Sequence, residues 1–314
     1  MNNHLSEKLK AIYLLFAFML FGTAYSMAYT KHALLVGISD YGNPRRLQGK
    51  FSNINGTSDL QILSPELRKQ GFKITELKDS KATHAAIISE LNKLISRCKA
   101  GDIVYLQFST HGQLVEDLDG DEPDGWDEAI IPVDAQLTYK KGVYEGQNHL
   151  IDDELSKYVN QIRKKLGPSG YLYVVLDACH SGTGSRDGDM EDVIGLNNDG
   201  PAVRGAVPFT RSGKRYQPNR TLHSNDYFRL KKEKRKSPVI FMEACRSYEI
   251  NTEIAVNRNC YGPLTYHIVK TIKKQKINKD GKWVDNVKRS FENDPQLKNR
   301  LTANKQHMVI EKSE

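Results

Sequence analysis

The chain has 314 residues, of which 39% are hydrophobic and 27% are charged, and its formal net charge is +8. This composition is typical of a soluble globular protein and excludes a largely disordered chain; the length allows one large α/β domain or two small ones. The four cysteines are too few for a disulfide scaffold and include no CxxC pair, so no structural zinc site is expected. The basic runs 229–236 and 270–282 have no interleaved aromatic residues for base stacking, so we expect no nucleic-acid partner.

The N-terminal segment has the pattern of a secretory signal peptide. Lys8 and Lys10 precede an apolar run from Ala11 to Gly22, and small residues follow up to Ala28. The apolar run is too short to span a bilayer comfortably. We therefore predict that residues 1–28 are removed and that the protein is exported to a periplasm or the extracellular space, without stable membrane association; an uncleaved anchor is the alternative.

Strand and helix patterns alternate along the rest of the chain. Short apolar runs predict strands at 33–38, 73–77, 103–108, 130–133, 171–176 and 239–242. Helical spacing of apolar residues predicts helices at 59–70, from an N-cap at Thr83 to about residue 95, at 152–166 and at 263–272. Because strands that alternate with helices form a mostly parallel sheet covered on both faces, we expect an α/β/α sandwich.

Two stretches show little periodicity. Residues 183–237 are rich in Gly, Asp, Asn, Arg and Lys, and we interpret them as one long loop of the kind that often carries function. Residues 278–314 are interpreted as a polar, basic C-terminal tail. The sequence therefore predicts a single folded domain at 29–277.

Two predicted strands end in residues that suit nucleophilic catalysis. His111 and Gly112 follow one strand, and Cys179 follows another. Sites in parallel sheets gather at the carboxyl ends of strands, and a thiol needs a nearby base to become a nucleophilic thiolate. We expect the backbone N–H groups of Gly112 and Cys179 to form an oxyanion hole. Cys245 follows a third strand in a similar setting, and from the chemistry alone it remains an alternative nucleophile.

The motifs at these positions resemble those of the metacaspases and related caspase-like peptidases. The shared features are His111-Gly112, the stretch Asp177-Ala178-Cys179-His180-Ser181-Gly182, the acidic loop 119–128 with 131–134 after it, and the paired aspartates of 151–154. The resemblance covers about Lys31 to Thr271. It favours Cys179 over Cys245 and implies a caspase-like α/β/α sandwich.

The resemblance also implies two further sites. A substrate pocket with acidic walls corresponds to Asp59, Ser109 and Asp177, and it would hold an Arg or Lys side chain. Calcium ligands correspond to Asp127, Asp152 and Asp153; Arg186 stands where a fourth acid is expected, with Asp187 one residue later. Calcium is thus the one cofactor to test, and no organic cofactor is expected.

The function expected from these features is a cysteine endopeptidase that cuts protein or peptide substrates after Arg or Lys, with Cys179 as nucleophile and His111 as base. The loop 183–237 offers self-cleavage sites, so we expect self-processing as an activation step. The candidates are Arg204, Arg211, Lys214, Arg215, Arg220 and the basic run to Lys236. The alternatives are a catalytically silent caspase-like binding module and a calcium-binding surface protein.

Overall fold

The structure, a computed structural model, describes residues 29–43, 49–179, 201–217, 227–298 and 306–313. The predicted signal peptide, Asp187 and much of the long loop lie outside the described residues. No helix within the described ranges is both long and apolar enough to cross a bilayer.

A central sheet carries the fold, and seven of its strands lie in the described part of the chain. In spatial order they are β2 (Phe72–Lys78), β1 (Lys31–Gly37), β3 (Ile103–Ser109), β7 (Tyr171–Leu176), β9 (Val239–Glu243), β12 (Val309–Ser313) and β8 (Tyr227–Leu230). Neighbouring strands from β2 to β9 are parallel, and β12 runs antiparallel to β9. The mostly parallel sheet predicted from the alternation of strands and helices is confirmed.

Helices cover both faces of this sheet. They are α1 (Gly56–Lys69), α2 (His84–Arg97), α3 (Asp152–Leu166), α4 (Pro263–Ile272), α5 (Lys282–Glu292) and the short α6 (Pro295–Lys298). Side chains of β1 alternate between the two cores: Ala33 and Leu35 pack with α1, α4 and α5, whereas Leu34 and Val36 pack with α2 and α3. This two-sided burial gives the α/β/α sandwich.

Two small sheets lie beside the central one. The first consists of β4 (His111–Glu116), β5 (Trp126–Ile131) and β6 (Leu150–Ile151), and the second of β10 (Ile254–Val256) and β11 (Asn259–Tyr261). The strand predicted at 130–133 is therefore β5, which begins and ends earlier because it pairs with β4.

The interpretation of residues 278–314 as a polar tail is corrected by the structure. Helix α5 buries Trp283, Val284, Val287 and Phe291 in the core, and β12 completes the central sheet. The polar composition hides both elements, because the apolar residues of α5 occupy only one helix face and β12 is short. The domain therefore continues past residue 277 to residue 313.

Candidate active site

The ends of β3 and β7 bring the predicted catalytic segments to one edge of the sheet. Phe108 pairs with Leu176, so the segments that follow these adjacent parallel strands begin at the same level of the sheet. The backbone N–H groups of Gly112 and Cys179 donate to one and the same atom, the carbonyl oxygen of Arg204, over 2.9 and 3.3 Å. The two N–H groups predicted to form an oxyanion hole therefore converge on one carbonyl oxygen.

His111 is buried and held in one orientation. Its Nε2 lies 2.8 Å from the carbonyl oxygen of Ser52, and since a carbonyl only accepts, Nε2 carries the proton. Nδ1 is then the basic nitrogen; it is buried and has no hydrogen-bond partner among the described residues. The rings of Tyr41 and Phe51 pack on the imidazole, with centroids 4.9 and 5.5 Å away.

Burial lowers the pKa of His111 to about 4. The positive charge of Arg204 also lowers this pKa, whereas hydrogen bonding to the carbonyls of Ser52 and Arg204 partly raises it. The imidazole is therefore neutral at pH 7, as a general base must be. The Ser52 carbonyl orients the imidazole of His111, and no side chain recognisable in the sequence was expected to do so. A backbone group carries no residue-type signal, so sequence reasoning could not find it.

The Cys179 thiol is fully buried in this site. Its Sγ donates to the carbonyl oxygen of Glu249 over 2.8 Å. Cys245, the alternative nucleophile, lies next to it with Sγ 3.8 Å from the carbonyl oxygen of Ala178. The adjacent Cys179 thiol, together with burial, raises the pKa of Cys245 well above its ordinary value, so Cys245 remains a thiol. No disulfide joins any of the four cysteines, all of which lie in the described residues.

An acidic pocket beside the two donors holds the guanidinium group of Arg204. Its Nη1 lies 2.6 Å from Asp59 Oδ2 and 3.6 Å from Asp177 Oδ1, and it donates to the Asp177 carbonyl over 3.0 Å. Its Nε and Nη2 donate to Oε1 of Glu253 over 3.2 and 3.1 Å. The four side chains are inaccessible to solvent. Although burial disfavours its charge, the three carboxylates raise the pKa of Arg204 above its usual range.

Glu253 was not predicted from the sequence. Its carboxylate is fixed by the α1 N-cap residue Asn55, whose backbone N–H and Nδ2 donate to it over 2.7 and 2.6 Å. It lies just before β10, far in sequence from Asp59 and Asp177, and no motif connects them. A lone glutamate in the sequence gives no signal of this role.

Ser109, the third predicted pocket residue, lies at the end of β3 behind Asp177. Its Oγ accepts from Nε2 of Gln107 over 3.1 Å, and the same Nε2 donates to Oγ1 of Thr265. Thr265 Oγ1 in turn donates to Asp177 Oδ2 over 2.6 Å. Ser109 therefore belongs to a buried polar network that supports Asp177. The hydrogen bonds of the Arg204 guanidinium described above are accepted by carboxylates and by the Asp177 carbonyl.

The N-terminus of α4 binds both aspartates of the pocket. The N–H of Gly262 donates to Asp59 Oδ1 over 2.8 Å, and the N–H of Thr265 donates to Asp177 Oδ2 over 2.7 Å. The positive end of the helix dipole favours the ionised carboxylates. Burial raises the pKa of Asp59 to about 6, and the nearby charge of Asp177 adds to this rise, whereas Arg204 opposes it. Gly262 leaves no room for a Cβ atom against Asp177.

The C-terminal segment also anchors the site. Asn251 Nδ2 donates to Asp177 Oδ1 over 3.0 Å, and Gln306 Nε2 donates to Asn251 Oδ1 over 2.8 Å. His307 binds the carboxylate of Glu249, whose carbonyl accepts from the Cys179 thiol. The polar residues just before β12 thus hold both the pocket and the thiol.

Two of the predicted calcium ligands, Asp127 and Asp153, lie in two overlapping groups of acids on and beside β5, whereas Asp152 belongs to neither group and Asp187 lies outside the described residues. A carboxylate oxygen of Asp127 lies within 4.8 Å of oxygens of Asp117 and Asp121, and one of Asp153 lies within 4.8 Å of oxygens of Asp119 and Asp121. Burial and the adjacent Asp152 raise the pKa of Asp127 to about 7. A set of clustered carboxylate oxygens fits a hard cation such as Ca²⁺. Three acids of the loop before β5, Asp117, Asp119 and Asp121, belong to these groups and were not among the predicted ligands.

Comparisons with known proteins find similar sequences in one family. Residues 31–185 match the model of the metacaspase, peptidase C14 domain. Metacaspase-1B of Aspergillus fumigatus is 33% identical over 159 residues, which cover 49% of this chain and 36% of that protein. Metacaspase-1 of Meyerozyma guilliermondii is 24% identical over 269 residues, covering 77% of this chain and 62% of that protein. The chain thus spans little more than a third of the length of the Aspergillus relative.

The fold has a match among solved structures. Protein GSU0716 from Geobacter sulfurreducens superposes with a TM-score of 0.56 at 21% identity, over 90% of this chain and 93% of that one. At this identity the likeness concerns the fold alone. The family model and the relatives lead to one assignment, which is that residues 31–185 of this chain carry the peptidase C14 domain of the metacaspases.

Proposed function

We propose that this protein is a cysteine endopeptidase that hydrolyses peptide bonds after Arg or Lys. The observation that supports the proposal best is the position of Arg204. Its guanidinium lies among Asp59, Asp177 and Glu253, while its carbonyl oxygen accepts from the N–H groups of Gly112 and Cys179. A substrate arginine bound in the same way would present its carbonyl carbon to the nucleophile.

The chemistry follows from the groups in the site. Nδ1 of His111 takes the proton of the Cys179 thiol, and Sγ attacks the substrate carbonyl. The N–H groups of Gly112 and Cys179 stabilise the oxyanion, which is worth about 3 to 4 kcal/mol per donor in comparable sites. His111 then protonates the leaving amine, and water hydrolyses the thioester. Ser52 keeps the imidazole in the tautomer that this sequence needs.

Rotation of the thiol precedes the attack. In the described state the S–H group of Cys179 points at the Glu249 carbonyl. Turning the S–H from that carbonyl toward Nδ1 of His111 lets the proton transfer begin. The pocket supplies the specificity, because a buried carboxylate group left unpaired by a neutral side chain costs several kcal/mol.

Labelling with a peptidyl-arginine chloromethyl ketone tests the proposal. The reagent should alkylate Cys179, which mass spectrometry of the digested protein identifies, and Cys179→Ala should remain unlabelled. Labelling of Cys245 instead, or equal labelling by the matching aspartyl ketone, would contradict the assignment.

We further propose that calcium stimulates the enzyme through the acidic cluster. Asp127, Asp152 and Asp153 would hold the ion together with the loop acids Asp117 and Asp121, and Asp187 remains a candidate from the sequence. A bound cation would neutralise the repulsion among these carboxylates and so order the loop between β4 and β5; β4 begins with His111 and Gly112. Calcium should raise the thermal unfolding temperature of wild type and leave that of Asp127→Asn nearly unchanged; equal shifts in both would exclude this site.

Self-processing within 183–237 and export after removal of residues 1–28 complete the proposed function. An enzyme with an acidic pocket would find basic residues in its own long loop, and cleavage there would release the site for other substrates. The intact mass of wild type should fall relative to Cys179→Ala, whereas identical masses would count against self-processing.

A further inference from the structure

We propose that the protein cuts itself at one particular bond, Arg204–Gly205, and that each molecule cuts its own chain. The inference rests on the proposed function and adds the position of the cut and its intramolecular character. The observation behind it is that residues 202–209 lie across the site in the manner of a bound substrate.

The backbone on the N-terminal side of this bond is bound as an added strand. The N–H of Glu253 donates to the carbonyl of Ala202, and the N–H of Arg204 donates to the carbonyl of Asn251, each over 2.9 Å. Val203 pairs antiparallel with Thr252 between them. Strand addition of this kind is a general mode of peptide recognition.

The backbone on the C-terminal side is bound along β4. Gly205 pairs in parallel with Gly112. Phe209 donates from its N–H to the Leu114 carbonyl over 2.7 Å and accepts at its carbonyl from the Glu116 N–H over 3.0 Å. The segment is therefore fixed on both sides of the Arg204–Gly205 bond. A substrate held on both sides keeps its scissile bond in position for attack.

The register of the segment selects this bond among the candidates. The Arg204 carbonyl oxygen is the one that receives both oxyanion donors, and the Arg204 side chain is the one in the pocket. Two other candidates bind elsewhere on the surface: Arg211 Nη2 donates to the Glu145 carbonyl over 2.8 Å, and Lys214 Nζ donates to the Gly125 carbonyl over 3.1 Å.

The reaction consumes one water molecule. The proton of the Cys179 thiol passes to His111 Nδ1, and Sγ forms a bond to the Arg204 carbonyl carbon. The C–N bond to Gly205 then breaks, and His111 returns the proton to the Gly205 nitrogen, which becomes a new α-amine. Water hydrolyses the Cys179–Arg204 thioester to a carboxylate at Arg204 and restores the thiol.

The cut occurs within one chain because the bond is already in its own site. Arg204 is completely buried there, so the site of another copy cannot reach it without first extracting it. The rate should then follow first-order kinetics, independent of protein concentration. Arg211→Gln is a matched control, since it removes an arginine two residues beyond the bound segment without touching the pocket.

Cell-free synthesis of the full chain allows the cut to be timed. Labelled protein is diluted tenfold and a hundredfold after synthesis, and the products are followed by gel and N-terminal sequencing. We expect a new N-terminus at Gly205, the same half-time at each dilution, no product from Cys179→Ala, and normal cutting of Arg211→Gln. Arg204→Gln should lose this cut and Arg204→Lys should slow it.

The outcomes separate this inference from the proposed function. Cleavage of wild type at another bond, with Arg204–Gly205 intact and arginyl peptides hydrolysed, overturns the inference and leaves the function. A half-time that lengthens in proportion to dilution overturns the intramolecular part. If wild-type protein cuts neither itself nor any arginyl peptide, the proposed function is wrong. The N-terminus of wild type decides the position even if an Arg204 variant does not fold.

Discussion

At the scale of single residues, the pocket differs from the one predicted by a third carboxylate. Nη1 of Arg204 is shared by Asp59 and Asp177, whereas Glu253 binds Nε and Nη2. A lysine side chain ends in one nitrogen and cannot satisfy both groups of acceptors. Glu253 is therefore expected to select arginine over lysine.

Replacement of Glu253 tests this selection. Glu253→Gln should lower kcat/KM for arginyl peptides by about 10- to 100-fold, the size of a charge-assisted hydrogen bond, and for lysyl peptides by much less. Steady-state hydrolysis of two peptides that differ only in this residue measures the ratio. Glu145→Gln serves as the control, because Glu145 is exposed and its carboxylate accepts a hydrogen bond from the Gly142 N–H. Equal losses for both peptides would mean that Glu253 acts only on the fold.

The proposed catalytic pair shows what residue patterns can and cannot reveal. The proximity of the His111 and Cys179 segments could be predicted because each follows an apolar strand, and adjacent parallel strands end at one edge of the sheet. Ser52, Glu249 and Asn251 act through backbone groups or an amide within irregular segments. Their roles arise only when distant parts of the chain meet, so residue type and spacing carry no trace of them.

At the scale of secondary structure, the strength of the local signals decided which elements were predictable. The bounds of α3, α4 and β7 agree with the structure, because helical periodicity or a continuous apolar run defines each of them. Thr83 caps α2 as predicted, with Oγ1 accepting from the N–H of Ala86 over 3.2 Å. The short strand β12 was missed because its sequence alternates weakly and it pairs with strands from far along the chain.

The segment before β12 has a function that its polar composition conceals. Gln306 Nε2 donates to the Ala244 carbonyl and to Asn251 Oδ1, and so connects the C-terminal segment to Asp177. Gln306→Ala should raise KM for arginyl peptides several-fold and cost about 1 to 3 kcal/mol of unfolding free energy. Gln296→Ala is the control, because this exposed glutamine makes two comparable bonds to Ala255 away from the site. An unchanged KM in Gln306→Ala would show that the connection does not position the pocket.

The pairing of β9 with β12 places Glu243 and Glu311 on the same face of the sheet. Burial raises the pKa of Glu243 well above its usual value, and the nearby charge of Glu311 adds to this rise. The folded protein thus keeps a proton that the unfolded chain releases near pH 4.5. Stability is consequently lost as the pH rises above that value.

Replacement by the neutral amide removes this cost. Glu243→Gln should raise the melting temperature at pH 7 and change it far less at pH 4.5, which calorimetry at the two pH values measures. A gain of the same size at both would show that the effect is not one of ionisation.

At the scale of the whole molecule, one chain provides both the proposed active site and a segment that occupies it. The sheet positions the proposed nucleophile and base, α1 and α4 hold the acidic pocket, and residues 202–209 lie between β4 and residues 251–253. The general fold followed from the alternation of strands and helices. The occupied site did not, because the contacts of Arg204 join residues separated by up to 145 positions.

This arrangement explains the burial of an arginine that is otherwise costly to desolvate. Three carboxylates, the N-terminus of α4 and the amide of Asn55 together satisfy the charges of the pocket. A site built to bind arginine in this way would bind it in substrates too. The central claim is therefore that the pocket and the thiol act together on arginyl bonds.

Hydrolysis of matched fluorogenic peptides ending in Arg, Lys or Asp, by the purified full chain with and without calcium, tests that claim most directly. We predict cleavage after Arg and Lys but not after Asp, and its loss in Cys179→Ala. Folded, self-processed protein that cleaves none of the peptides, or that cleaves after Asp as readily as after Arg, would contradict it.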